Sequence, residues 1–196
     1  MNKNMNKLGA MLGILACLAG VPGMVSAGAG SHGPGTAVES TAPGDYAFPE
    51  LGLSLHFQDS WQQERNSLLF LPVYGTRENP LCGLIVHYGV KDSMAKARVA
   101  AAGGQVDPGP VAWENSLPLF TVIVDPTGKA PRKTILEAAG GSKKEAKVEK
   151  MGEKDGKVYY FCTFPQAARE GKTVSPEYGR LCRDLGLARE NLRLGK

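Results

Sequence analysis

The sequence predicts an α+β protein: an antiparallel sheet of about six strands with helices packed on it. Three observations carry this. Leu51, Leu53, Leu55 and Phe57 alternate with Gly52, Ser54 and His56, the period of a half-buried strand. Lys154-Asp155-Gly156-Lys157 lies between two strand-like runs, and Asp-Gly in that setting is the strongest short hairpin signal. After Ser175-Pro176, the residues Tyr178, Leu181, Cys182 and Leu185 fall on one helical stripe. Sequential antiparallel strands with helices between them define the class.

Taken in order, the first strand covers residues 51–57, with His56 pointing away from the leucines, and Asp59-Ser60 turns the chain into Trp61. A second strand spans 67–74, bounded by Gly75 and a polar run to Pro80. A third spans 82–90, placing Cys82, Leu84, Val86 and Tyr88 on one face and Ile85 with His87 on the other. Asp92 suits the N-cap of a helix to about Ala102, stopped by Gly103-Gly104. Residues 119–124 form a strand entered from Pro118 and left through the turn Asp125-Pro126-Thr127-Gly128. Pro131 suits the first position of a short helix through Ala139, stopped by Gly140-Gly141. Ala-Ala-Gly-Gly thus occurs twice, at Ala101 and Ala138, each time after a helix C-terminus. These glycines are caps, because anion cradles sit at N-termini.

The hairpin arms run over 146–152 and 158–164. Val158, Tyr160, Cys162 and Phe164 share one face and Tyr159 and Phe161 the other, so this strand is expected to be covered on both sides. In the last helix Gly186 is the expected stop, and the apolar tail 187–194 is expected to return as an edge strand.

The first 27 residues read as an export signal. Lys3 and Lys7 precede an uncharged apolar run from Leu8 to Val25, and Val25-Ser26-Ala27 is a small-x-small cleavage pattern. Ile14-Leu15-Ala16-Cys17 also resembles the lipobox of bacterial lipoproteins, which implies lipidation at Cys17 and tethering to a membrane surface. An uncleaved anchor is the third reading, weakened by Gly9, Gly13, Gly20, Pro22 and Gly23. All three place the folded part outside the cytoplasm, secreted or periplasmic. Residues 28–44 are rich in Gly, Ser, Ala, Thr and Pro, with too little apolar surface to offset ordering entropy, and are expected to form a flexible linker. His32 lies there as a solvated side chain. Residues 45–196 make one α+β domain.

Charge excludes one class of partner. Of 23 basic residues Lys3 and Lys7 leave with the signal and no acid does, so 21 face 19 acids, a formal charge of +2. Lys143 to Lys157 alternates in sign, which is a solvated face and not a nucleic-acid stripe. Four cysteines include Cys17, leaving Cys82, Cys162 and Cys182, an odd set that allows one internal bridge. Locality favours Cys162 with Cys182, a bridge contributing about 3 kcal/mol in the chain-entropy model. The competing reading makes all three small buried apolar residues.

No His-Glu-x-x-His, Cys-x-x-Cys, Gly-x-Ser-x-Gly or Walker loop is present, and no cofactor or metal is implied. A zinc site from His56, His87 and a cysteine would need long-range convergence. His56, Asp59 and Ser60 form a triad by composition only, too close in sequence to line up a base, its acid and a nucleophile.

Two resemblances add to this. Pro72-Val73-Tyr74-Gly75-Thr76 is similar to the start of a peroxiredoxin loop, Pro-x-x-x-Thr-x-x-Cys, with Asn79 at the Cys position and Cys82 three residues later. Residues 118–129 likewise resemble the strand after the cis-proline of thioredoxin-like proteins. This implies an alternative: an atypical thiol-redox protein using Cys82 and Thr76, with Cys162 or Cys182 resolving. Residues 51–57 with Trp61, and the late hairpin 151–161 followed by a helix, resemble the opening and closing elements of PsbP/Mog1-like domains. That resemblance implies an α-β-α sandwich used as an exported, non-catalytic binding or accessory module, with a protein partner or small ligand. It assigns no functional residue.

Overall fold

A computed structural model describes residues 45–57, 59–103, 108–140, 146–171 and 173–194. The expected export signal and linker, with Cys17 and His32, lie outside them. The α+β class and the antiparallel pairing hold, but the strands fall into two sheets. The elements are β1 (Asp45–Phe48), β2 (Leu53–His56), α1 (Asp59–Gln63), β3 (Leu68–Val73), β4 (Cys82–Tyr88), α2 (Lys91–Gly103), α3 (Pro108–Trp113), β5 (Leu117–Asp125), α4 (Arg132–Ala138), β6 (Lys147–Lys154), β7 (Lys157–Thr163), α5 (Pro165–Gly171), α6 (Pro176–Arg183), α7 (Leu185–Glu190) and β8 (Leu192–Leu194). The small sheet has the order β1-β2-β8 and the large one β3-β4-β5-β7-β6, all neighbours antiparallel.

The hairpin is built as its sequence dictates. Asp155 (φ 52°) and Gly156 (φ 75°) both take positive φ, which the tight turn between β6 and β7 requires. The turn after β5 is organised by Asp125, which is fully buried. It accepts from the Thr127 amide at 2.9 Å, the Thr127 hydroxyl at 2.7 Å and the Ala130 amide at 2.7 Å. Burial raises its pKa, yet these donors prevail and hold the carboxyl below the ordinary carboxylate value.

One face of the large sheet meets the small sheet. Leu53 and Leu55 of β2 join Phe70, Leu84, Val86, Phe120, Val122, Tyr159 and Phe161 in the main core. Trp61 stacks on Phe57 at 5.1 Å, and its Nε1 donates to the Asp184 carbonyl at 3.2 Å. The other face carries two smaller clusters. Ile135, Leu136 and Ala139 of α4 and its flank cover Ile123, Cys162 and Phe164. Met94, Ala97 and Ala112 of α2 and α3 cover Leu69. β7 is therefore apolar on both sides, as its sequence implied.

Several boundaries differ from expectation. Lys91 opens α2, so Asp92 sits in its first turn instead of capping it; an acid still suits that end. Pro131 is the N-cap of α4, so the helix begins one residue later than expected, at Arg132. Gly186 lies inside α7 and stops nothing. The break is at Asp184, whose amide bonds back to Arg180 and Leu181 and whose carboxylate takes the Ser60 hydroxyl at 2.5 Å. Only Leu192–Leu194 of the tail is a strand, on the edge of the small sheet. β1, α1, α3 and α5 were not foreseen. α5 had a readable signal, Pro165 at the first turn of a run of helix formers.

Candidate functional site

The loop from β3 to β4 brings Thr76 and Cys82 into one hairpin without joining them. The Thr76 amide donates to the Asn79 carbonyl at 2.7 Å, and the Thr76 hydroxyl accepts from the Asn79 amide at 3.1 Å. The Asn79 side chain accepts from the Leu81 amide at 3.3 Å. Cys82 opens β4, half-buried, and its thiol donates to the Pro80 carbonyl at 3.5 Å. Its flank is the apolar strand face of Leu84 and Val86, not a helix N-terminus.

The expected Cys162–Cys182 bridge is not formed: no disulfide joins Cys82, Cys162 and Cys182. Topology explains this. Cys162 belongs to the cluster under α4, while Cys182 packs against the main core on the opposite face of the large sheet. Burial pushes the Cys162 thiol up to about 12, with Arg132 pulling weakly the other way, so it stays protonated. Cys182 acts on Tyr178, whose phenol is raised first by burial and then by the neighbouring sulfur.

The three residues of the compositional triad separate. His56 Nδ1 pairs with the Asp45 carboxylate across β2 and β1, on the surface. Ser60 donates to Asp184, 124 positions away. Asp59 opens α1. His87 stands on the far side of the large sheet, half-buried, with Nδ1 2.9 Å from the Ser116 hydroxyl and its ring 5.0 Å from that of Trp113. Burial lowers its pKa to about 4, so the ring is neutral at pH 7. Among the described residues, no three His, Cys, Asp or Glu side chains are placed to hold a metal ion.

The concave feature that sequence reasoning missed lies where α7 meets the β6–β7 edge. It is a cleft of about 210 Å³ lined by Lys147, Glu149, Phe161, Thr163, Leu185, Gly186 and Arg189. β6 and β7 supply Lys147, Glu149 and Phe161 because Glu149 and Phe161 are register partners on one face. Lys147 Nζ lies 2.5 Å from Glu149, and Arg189 Nη1 lies 3.6 Å from its other oxygen. The Lys147 hydrogen bond, with the charges of Lys147 and Arg189, holds the Glu149 carboxyl below its ordinary range. The rim thus carries both signs, two cations around one acid, over a floor of Phe161 and Leu185. Lys147 and Glu149 come from the alternating run that reads in sequence as a solvated face; Leu185, Gly186 and Arg189 join them from α7, beyond the helix break at Asp184.

No family model, curated protein or solved structure matches the chain. What the fold and the cleft define is an α+β domain of two antiparallel sheets with a small, charge-rimmed, apolar-floored depression at one edge. No helix among the described residues is long and apolar enough to cross a membrane.

Proposed function

We propose that this chain is an exported binding or accessory module, without catalysis of its own, that meets a protein partner outside the cytoplasm through the cleft between α7 and the β6–β7 edge. The cleft carries the reading. Its volume of about 210 Å³ is below the roughly 300–1,000 Å³ of sites that enclose a small ligand, so it suits one anchoring side chain of a partner. An apolar floor under Lys147, Glu149 and Arg189 accepts an apolar anchor, and the paired charges select its polar neighbours. The leader and the resemblance to PsbP/Mog1-like domains support export and an accessory role.

The test is site-specific photo-crosslinking in the exported protein. A crosslinker in place of Gly186 is expected to capture one defined partner, and one in place of Val99, which is 74% exposed on α2, is not. Equal capture from both positions would reject the cleft. Mass spectrometry of the exported chain is expected to find a first residue near Gly28; a lipid on Cys17 would instead put the module on a membrane surface.

The thiol-redox alternative rests on the half-buried Cys82 at the end of an exposed loop. Peroxide or disulfide turnover abolished by Cys82→Ser would establish it in place of the binding role.

A further inference from the structure

The rim of the cleft between α7 and the β6–β7 edge has a surplus of one positive charge, because Lys147 and Arg189 flank the single acid Glu149. Glu149 does not use up their donors. The Lys147 ammonium turns one of its three N–H groups to it. Arg189 stands 3.6 Å away, beyond hydrogen-bond distance, so its planar fork is left for another acceptor. Both cations reach into solvent, Lys147 67% and Arg189 44% exposed. Beneath them Phe161 is buried and Leu185 half-buried, which makes the floor apolar. Leu185 and Arg189 are one turn apart on α7, so floor and cation lie side by side on one helix face. Gly186 keeps the mouth open: a Cβ there would have nothing within 4 Å.

The neighbouring backbone is closed to a partner strand. β6 is the outer strand of the large sheet, but Arg132 reaches from α4 and donates to the Val148 carbonyl at 3.3 Å. Lys147, Lys150 and Lys154 line this strand, and lysines on an edge discourage strand addition. A partner is therefore held by a side chain or a chain end, not by main-chain pairing.

We propose that the cleft takes the C-terminal residue of a partner protein, its apolar side chain on Phe161 and Leu185 and its carboxylate on Lys147 and Arg189. This assignment rests on the binding reading and names the chemistry of what binds. Charge complementarity calls for one negative group at the surplus cation. The volume, about 210 Å³, is below that of sites that enclose a small ligand, so the acid and the apolar anchor must lie close together. In a protein only the last residue carries a carboxylate and an apolar side chain on one Cα. The guanidinium of Arg189 suits that carboxylate, which it can take on two parallel bonds. Glu149 orients the two cations and repels a second acid upstream of the terminus.

NMR titration of the exported protein with two peptides tests this. Both have the sequence Ser-Gly-Ser-Gly-Leu, one ending in a free carboxylate and the other in an amide. The acid is expected to shift the resonances of Lys147, Glu149, Phe161 and Arg189 and to bind at least about tenfold more tightly than the amide. Lys147→Ser combined with Arg189→Gln changes two exposed side chains and is expected to erase that preference. Glu149→Gln is expected to strengthen it, because the competing acid is gone. Equal binding of the two peptides, binding of neither at millimolar concentration, or equally tight binding of an amidated peptide with Asp beside an internal Leu would overturn the proposal. Its failure is distinct from failure of the binding reading. A partner crosslinked from position 186 and not from position 99, with the crosslink mapped to an internal segment of that partner, keeps the cleft and rejects the terminus.

Discussion

The ring of Tyr178 fills the space where a side chain on Gly171 would stand: a Cβ there would lie 2.2 Å from Cε1 and 2.6 Å from Cδ1. Tyr178 cannot yield, because it is fully buried on α6 and its hydroxyl donates to the Pro118 carbonyl of β5 at 2.7 Å. The Ser175 hydroxyl caps the same helix, accepting from the Tyr178 amide at 3.2 Å. Gly171→Ala is therefore expected to cost about 2–3 kcal/mol by overpacking, read as a lower denaturation midpoint. Gly186→Ala is the control. Its Cβ meets open space inside a helix, so stability should rise by up to about 1 kcal/mol.

Gly52 is required on two counts. It takes φ 65°, and its Cβ would lie 2.9 Å from the Tyr159 hydroxyl, which donates to the Leu51 carbonyl at 3.4 Å. Gly52→Ala is expected to lose about 1–2 kcal/mol from the left-handed conformation alone, and more from the contact. In the double variant with Tyr159→Phe, the contact part is recovered and the backbone part persists. Additive denaturation energies would show that the two residues do not interact.

The buried turn acid sets a third expectation. Asp125→Ala takes the charged acceptor away from the amides of Thr127 and Ala130, both part-buried bonds, an expected loss of about 1–3 kcal/mol. Asp125→Asn keeps one acceptor and should fall between. Equal stability of all three proteins would mean the turn is organised without the side chain.

Acid should unfold the domain in two stages. The folded pKa of His87, about 4, lies below the ordinary 6.5, so the unfolded chain binds more protons between those values. Stability contributed by the neutral ring is complete above pH 6.5 and is lost as pH falls to 4, at most about 3 kcal/mol. Glu177 follows. The Lys91 hydrogen bond, aided by Ser175, brings its carboxyl to about 2. Its contribution is present above the ordinary 4.5 and is lost as pH falls toward 2. This pair is on the surface, so the loss should be below about 1 kcal/mol. His87→Phe should erase the first stage, and Lys91→Ala most of the second, in urea denaturation across pH.

The thiols should react in order of access. Cys162 is fully buried with its pKa raised to about 12, so an alkylating reagent should reach it only on global unfolding, after half-buried Cys82. Labelling of Cys162 in the native protein would show that the cluster under α4 opens locally.

Much of the fold is written locally. The apolar run 67–74 reads as a strand, and β3 takes the edge of the large sheet, the place that tolerates Pro72. Asp155-Gly156 fixes its turn because two adjacent residues must take positive φ. The double-sided apolarity of β7 fixes its place between two packed layers. Ser175-Pro176 fixes the start of α6 through a cap bond spanning three residues.

What the sequence could not state depends on distance along the chain. Cys162 and Cys182 are near neighbours in sequence, yet the sheet between them decides that they do not bond. Ser60 and Asp184 are 124 positions apart and meet, ending α6 at a residue with no stop signal of its own. Beyond that helix break α7 sets Leu185 and Arg189 beside Lys147 and Glu149 and makes the cleft. Backbone dihedrals and side-chain period are short-range properties, legible residue by residue. Which faces of two sheets come together, and which side chains line the seam, is settled by joint burial of apolar surface from the whole chain, and only the tertiary structure decides it.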